Sequence, residues 1–224
     1  MNGHMIRMTM SDGAEIGVYH ADPQGARRGG LVLVQEIFGI TDHIRELCDG
    51  FAADGYEVLA PALFDREEPG FEAPYGGEGL QRGIALSRDI HPIETSVADV
   101  QACVDALKDK GPVFAVGYCY GGSVAWLAAA RVEGLSAVSS YYGRLVPESR
   151  EVPRVPTIAH FGRNDHGIPI EGVEALVAAE PANTTIYIYD AGHGFNSDRR
   201  DDYAPEAAKL ARERTLELFR ANGG

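Results

Sequence analysis

The 224-residue chain is poor in positive charge and in cysteine, and it has no long apolar stretch. Twenty lysines and arginines stand against 33 acidic residues, a formal charge of −13 with the histidines neutral. Such a surface repels phosphate backbones and anionic lipid, which sets nucleic acid and membrane surfaces aside as partners. Three cysteines, Cys48, Cys103 and Cys119, supply neither a disulfide framework nor a CxxC pair, so a reducing compartment is expected. No run approaches the roughly 20 apolar residues that cross a bilayer, and no basic start leads into an apolar stretch; the chain is read as cytoplasmic. The six histidines other than His193 lack the i, i+4 pairing of a helical metal site, so no metal is expected.

What is present is an ordinary globular composition, 45% hydrophobic and 24% charged, in a chain long enough to remove roughly 70–75% of its unfolded surface from water. Short apolar runs recur at residues 31–34, 57–60, 113–116, 136–139, 157–160 and 185–189, each bounded by Gly, Pro or polar residues. Continuous rather than alternating apolar runs are what strands buried on both faces produce. Helical spacing fills the intervals at 41–53, 97–107, 122–130, 171–179 and 204–219, the first with Thr41 as its N-cap. Strand and helix in alternation imply right-handed crossovers and one α/β domain over residues 6–224, a mostly parallel sheet with helices on both faces. Residues 1–5 are read as start-site residues outside that fold. The Gly-, Pro- and acid-rich stretch 65–89 follows a strand, at the sheet end where ligands bind, and reads as a loop-and-helix lid or an inert insertion.

The sharpest motif is Gly117-Tyr118-Cys119-Tyr120-Gly121-Gly122, set between a strand and a helical run. That context is a nucleophile elbow, G-x-S-x-G, with sulfur replacing the hydroxyl. The elbow backbone is strained and closely packed, which is why glycines flank the nucleophile. At a helix start, Cys119 also meets the positive end of the macrodipole, which favours thiolate. A nucleophile of this kind needs a base and a group that orients the base, and both follow in chain order. Asp165 follows the 157–160 run and His193 the 185–189 run. His193 is the proposed base and Asp165 its orienting carboxylate. His160 falls within an apolar run and reads as a core histidine, while His166 reads as a pocket residue.

Glu36 ends the first apolar run, where a carboxylate needs a partner or must turn to solvent. Topology places the N–H groups of Ile37 and Tyr120 as an oxyanion hole. Phe38, Phe64, Tyr75, Tyr118, Tyr120 and Tyr142 are candidates for an apolar pocket wall, although core aromatics look the same in sequence.

Together, QEIFG at 35–39, GYCYGG at 117–122, YYG at 141–143, GRNDH at 162–166 and AGHGF at 191–195 resemble the dienelactone hydrolase (carboxymethylenebutenolidase) family across nearly the whole chain. The resemblance implies an α/β-hydrolase fold, a Cys119-His193-Asp165 triad, and cleavage of a lactone or small ester through an acyl-thioenzyme, with water and no cofactor. It also implies that Glu36 contacts the resting cysteine and helps to generate the thiolate once substrate binds. Members acting on dienelactone clasp its carboxylate with two arginines. The matching positions here are Gln81, beside Arg82, and Ser197, so the chain departs from that pattern. Arg82 is the nearest replacement, and Arg66, Arg88, Arg199 and Arg200 are further candidates or solvated surface charges. A small-molecule lactone or ester is the expected partner, with monomer and homodimer both open. The competing readings are a noncatalytic ligand-binding relative and a thiol redox sensor on the same fold.

Overall fold

The computed structural model describes residues 3–224. Eight strands, β1 (His4–Thr9), β2 (Glu15–Ala21), β3 (Gly29–Val34), β4 (Tyr56–Pro61), β5 (Val113–Tyr118), β6 (Leu135–Tyr141), β7 (Thr157–Gly162) and β8 (Thr184–Tyr189), form one sheet in the order β1-β2-β4-β3-β5-β6-β7-β8. All six apolar runs are strands of this sheet and are mutually parallel. The α-helices are α1 (Asp42–Ala53), α2 (Gly77–Ala85), α3 (Ile93–Leu107), α4 (Tyr120–Arg131), α5 (Ile170–Ala178) and α6 (Pro205–Ala221).

Side chains of the central strands are buried on both faces, and their alternation sorts them into two cores. In β3, Leu31 and Leu33 face a core completed by Ile44, Cys48 and Phe51 of α1 and by Ala211, Leu216 and Phe219 of α6. Val32 and Val34 face the opposite core, with Val97, Val100 and Val104 of α3 and Val124 and Leu127 of α4. Each core buries a dozen or more apolar side chains, at about 1.5–3 kcal/mol for each of the larger ones. No helix among the described residues is long and apolar enough to cross a membrane.

Two features depart from the sequence reading. β1 and β2 form an antiparallel hairpin at the sheet edge, and β2 pairs antiparallel with β4. β1 starts at His4, inside the segment expected to lie outside the fold, while Met1 and Asn2 lie outside the described residues. An edge strand exposed on one side needs no continuous apolar run, and in β1 only Ile6 and Met8 are half-buried. The 65–89 stretch does form a loop-and-helix element: α2, then a π-helical turn at Leu86–Ile90 that ends at His91. It lies over the C-terminal ends of β3 and β4. Gly83 of α2 sits so close to Ile37 that a Cβ there would strike the Ile37 carbonyl.

Candidate active site

β5 ends at Tyr118, and α4 begins at Tyr120. Cys119, between them, has φ 57° and ψ −112°, a conformation that costs a non-glycine residue roughly 1–3 kcal/mol. The surroundings enforce it. The Cys119 N–H donates to the Tyr141 carbonyl at 3.0 Å, and the Gly122 N–H returns to the Cys119 carbonyl at 3.0 Å. A Cβ at Gly117 would fall on the Gly121 carbonyl, and one at Gly121 on the Val34 carbonyl, so the turn closes only with glycine there.

Nε2 of His193 lies 3.2 Å from Cys119 Sγ, and its Nδ1 lies 2.7 Å from Asp165 Oδ2. Asp165 is itself fixed: its Oδ1 accepts the N–H of Gly167 at 2.7 Å and that of Ile168 at 3.1 Å. The carboxylate is fully buried, so its charge acts on the imidazole through a medium of low dielectric. Burial opposes charge on His193, yet the neighbouring Cys119 sulfur and Asp165 carboxylate prevail and raise its pKa to about 10. The Tyr142 ring meets the His193 ring edge-on at 5.2 Å.

A cavity of about 680 Å³ opens above these residues. Ile37, Cys119, Tyr120 and His193 border it, and Phe38, Leu80 and Ile84 supply apolar wall. Tyr120 occupies the first position of α4, where backbone N–H groups have no partner within the helix. The Glu36 carboxylate is wholly buried and forms no hydrogen bond within normal geometry; Arg200 Nη1 stands 3.6 Å from its Oε1. Burial raises the Glu36 pKa, and the charges of Arg200 and His193 and the Tyr75 hydroxyl offset only part of that rise. The sulfur of Cys119 therefore pairs with His193, whereas Glu36 faces Arg200 rather than the cysteine.

Of the residues read as pocket wall, Tyr120 and Phe38 line the cavity, and the four others do not. Phe64 packs behind the wall, against Tyr120 and His91. Tyr118 points to the opposite face of β5, where its ring lies 4.7 Å from that of Tyr141, as strand alternation next to Cys119 dictates. Tyr142 is fully buried beneath His193. Tyr75 sets its ring tilted against that of Phe38 at 4.5 Å and lines a separate shallow hollow with Thr41. Arg82 is half-exposed on α2 and pairs with Glu68 at 2.7 Å. The guanidinium groups at the cavity are instead those of Arg88, Arg144 and Arg200. His166 also lines the cavity, as expected, and His160 is a core histidine bonded to Tyr189 and Ser139 at 2.8 and 3.2 Å. Sequence reading overlooked His91, Arg144 and the α2 pair Leu80 and Ile84, whose i, i+4 spacing is the one local signal that an apolar face of α2 turns inward.

Outside the cavity, His43, Glu46 and Asp198 bring potential ligand atoms within 4.8 Å of one another. Arg199 already pairs with both carboxylates there, and burial lowers His43 to about 4.

The model of the Dienelactone hydrolase family matches residues 16–223. A carboxymethylenebutenolidase of a Pseudomonas species is 34% identical over 222 residues, covering 93% of this chain and 91% of that protein. A second, from Pseudomonas putida, is 30% identical over 223 residues, covering 96% and 94%. Among solved structures, a Klebsiella pneumoniae chain assigned as a dienelactone hydrolase superposes with a TM-score of 0.78 at 29% identity, over 97% of this chain and 98% of that one. An esterase of Pyrococcus furiosus shares the fold at a TM-score of 0.71 and 16% identity, covering 99% of this chain and 93% of that one. The chain belongs to the dienelactone hydrolase family and is an α/β-hydrolase-fold enzyme acting on lactone or ester bonds.

Proposed function

We propose that Cys119, His193 and Asp165 form a catalytic triad that hydrolyses a small-molecule lactone or ester through an acyl-thioenzyme. The observation that carries this reading is the placement of His193 between Cys119 Sγ at 3.2 Å and Asp165 at 2.7 Å. Nucleophile and base within hydrogen-bond reach, with the base oriented by a third group, is the arrangement that activates a thiol.

The Cys119 thiolate attacks the carbonyl carbon, and the carbonyl π electrons move to oxygen. The N–H groups of Ile37 and Tyr120 receive that oxyanion at the cavity floor. As the tetrahedral species collapses, the carbon–oxygen bond to the leaving group breaks, and the His193 imidazolium protonates the departing alkoxide. The neutral imidazole then takes a proton from water as the water oxygen attacks the thioester. A second collapse expels the thiolate, releases the carboxylic acid product and restores the thiolate–imidazolium pair. Water is the one co-reactant, and no cofactor enters.

Glu36 and Arg200 flank this centre as a buried charge pair. We place Glu36 in the machinery as the group that responds when a substrate displaces or neutralises Arg200. Arg200, on the cavity wall, takes the substrate-facing role that sequence reading gave to Arg82. Cys48 and Cys103 are fully buried, and burial pushes both thiols up, so neither is a ready partner for a disulfide to Cys119; this disfavours the redox-sensor reading. Three free thiols and the acidic composition fit a reducing cytoplasm.

The test is hydrolysis of an aryl acetate, aliphatic lactones and dienelactone by the wild type and by Cys119→Ala and His193→Ala. Both variants should lose at least about 10³-fold in kcat while retaining the wild-type circular dichroism spectrum. Wild-type rates in folded Cys119→Ala would refute the reading.

A further inference from the structure

Beside the triad runs a second hydrogen-bonded chain of acid, imidazole and hydroxyl that ends on the elbow. Both Glu67 carboxylate oxygens approach His91 Nδ1, at 2.9 and 3.0 Å. His91 Nε2 lies 3.0 Å from Ser96 Oγ, and Ser96 Oγ lies 2.9 Å from the Tyr120 hydroxyl. Ser96 is fully buried, and the His91 side chain, although His91 borders the cavity, has no exposed surface, so no substrate reaches the serine. The chain has the order of a nucleophile triad, but its hydroxyl bonds a phenol and does not face a reacting carbonyl.

The direction of the bonds is fixed by their ends. Both Glu67 oxygens converge on Nδ1 as acceptors, so His91 donates from Nδ1 and presents Nε2 as acceptor. Ser96 then donates to His91 and accepts from Tyr120. The reverse order leaves the phenolic hydrogen of Tyr120 without an acceptor among the described residues. Burial raises the Tyr120 phenol to about 12, so it keeps the proton that this order requires.

Tyr120 is the residue after the nucleophile. The ψ of Cys119, −112°, sets the plane of the Cys119–Tyr120 peptide and therefore the direction of the Tyr120 N–H. A residue in so sparsely populated a conformation holds its geometry only when its surroundings over-determine it. The phenol anchor is one such restraint, and Ser96 and Phe64 hold it from two sides. Glu67 lies in the turn after β4 and His91 at the end of the π-helical turn, so the chain also ties both ends of the lid to the elbow.

We propose that Glu67, His91 and Ser96 are positioning residues that hold Tyr120 so that its N–H points at the developing oxyanion. This rests on the triad reading, in which the Tyr120 N–H is an oxyanion donor. The oxyanion-hole consequence is separable from binding, because a donor aimed at the transition-state oxygen lowers kcat when misdirected and leaves KM nearly unchanged.

The experiment compares full-length wild type, Ser96→Ala, Glu67→Ala, Glu67→Gln and Cys119→Ala on 4-nitrophenyl acetate and on its thionoacetate analogue, whose sulfur accepts poorly from N–H donors. Ser96→Ala and Glu67→Ala should lower kcat on the oxygen ester about tenfold with KM within about twofold. They should also shrink the ratio of ester to thionoester rates. Glu67→Gln, which still accepts from His91, should restore most of kcat. An unchanged ratio in Ser96→Ala and Glu67→Ala, with Cys119→Ala inactive, overturns the positioning role alone. Full turnover by Cys119→Ala overturns the triad reading together with it. Glu67 lies on a loop with part of its side chain in solvent, so its variants report even where Ser96→Ala does not fold.

Discussion

Nε2 of His193 stands 3.2 Å from the sulfur of Cys119, and that sulfur, with Asp165, favours the proton on His193. The pair also sets the expected pH behaviour. Burial works against the imidazolium, but Cys119 and Asp165 raise His193 to about 10. His193 should therefore be protonated through neutral pH and ready to protonate the leaving group. The kcat/KM profile, which reports the free enzyme, should lack an inflection near the ordinary histidine value and decline towards pH 10, where His193 loses that proton. In Cys119→Ala the His193 pKa should fall, because the sulfur anion is its strongest supporting charge. Titration of the His193 ring signals by NMR in both proteins checks this, and an unmoved His193 in the variant contradicts it.

Glu36 predicts a stability effect with a definite sign. Burial raises its folded pKa above the unfolded value, so its contribution is favourable in acid and is lost as pH rises through the folded pKa. Glu36→Gln cannot ionise and escapes that loss. Relative to wild type, the variant should gain stability between pH 5 and pH 7.5, as read from urea midpoints at the two pH values. A difference that stays constant or reverses with pH would show that the charge is better solvated than its burial implies.

Arg66 holds a different buried acid. It forms a two-pronged pair with Asp99 at 2.7 and 2.8 Å, and Asp99 has no exposed side-chain surface. Removing one partner of a buried pair strands the other charge, which typically destabilises by about 3–5 kcal/mol. Arg66→Met should show a loss of that order in chemical denaturation, and the double variant Arg66→Met, Asp99→Asn should recover much of it. Asp12, the exposed second partner of Arg66, should matter far less when replaced by Ala.

Arg82 and Arg200 separate what the sequence suggested from what the fold presents. Arg82 pairs with Glu68 on the outer side of α2, while Arg200 lines the cavity beside Glu36. Arg82→Ala should leave kcat/KM within about twofold on every substrate in the panel. Arg200→Ala should raise KM for a carboxylate-bearing lactone well beyond its effect on a neutral aryl acetate. Equal sensitivity of both substrates to Arg200→Ala would show that Arg200 acts on Glu36 alone.

The central strands were legible because burial on both faces leaves an unbroken apolar run, as in Leu31-Val32-Leu33-Val34. The elbow was legible because close packing permits little besides glycine at positions 117 and 121. Chain order alone pointed to Asp165 and His193, since each follows a strand at the same end of a parallel sheet. β1 left no such mark, because an edge strand open to water carries a mixed sequence. Which aromatic rings face substrate was also beyond one-dimensional reading. Tyr118 and Tyr120 differ by two positions, but the sharp turn at Cys119 sends one into the α1/α6 core and the other to the cavity wall. The same holds for charge. Glu67, His91 and Ser96 become one chain, and Glu36 meets Arg200, only when distant segments pack together, because hydrogen bonds and buried charge pairs are decided by distances of a few ångströms that sequence spacing does not encode.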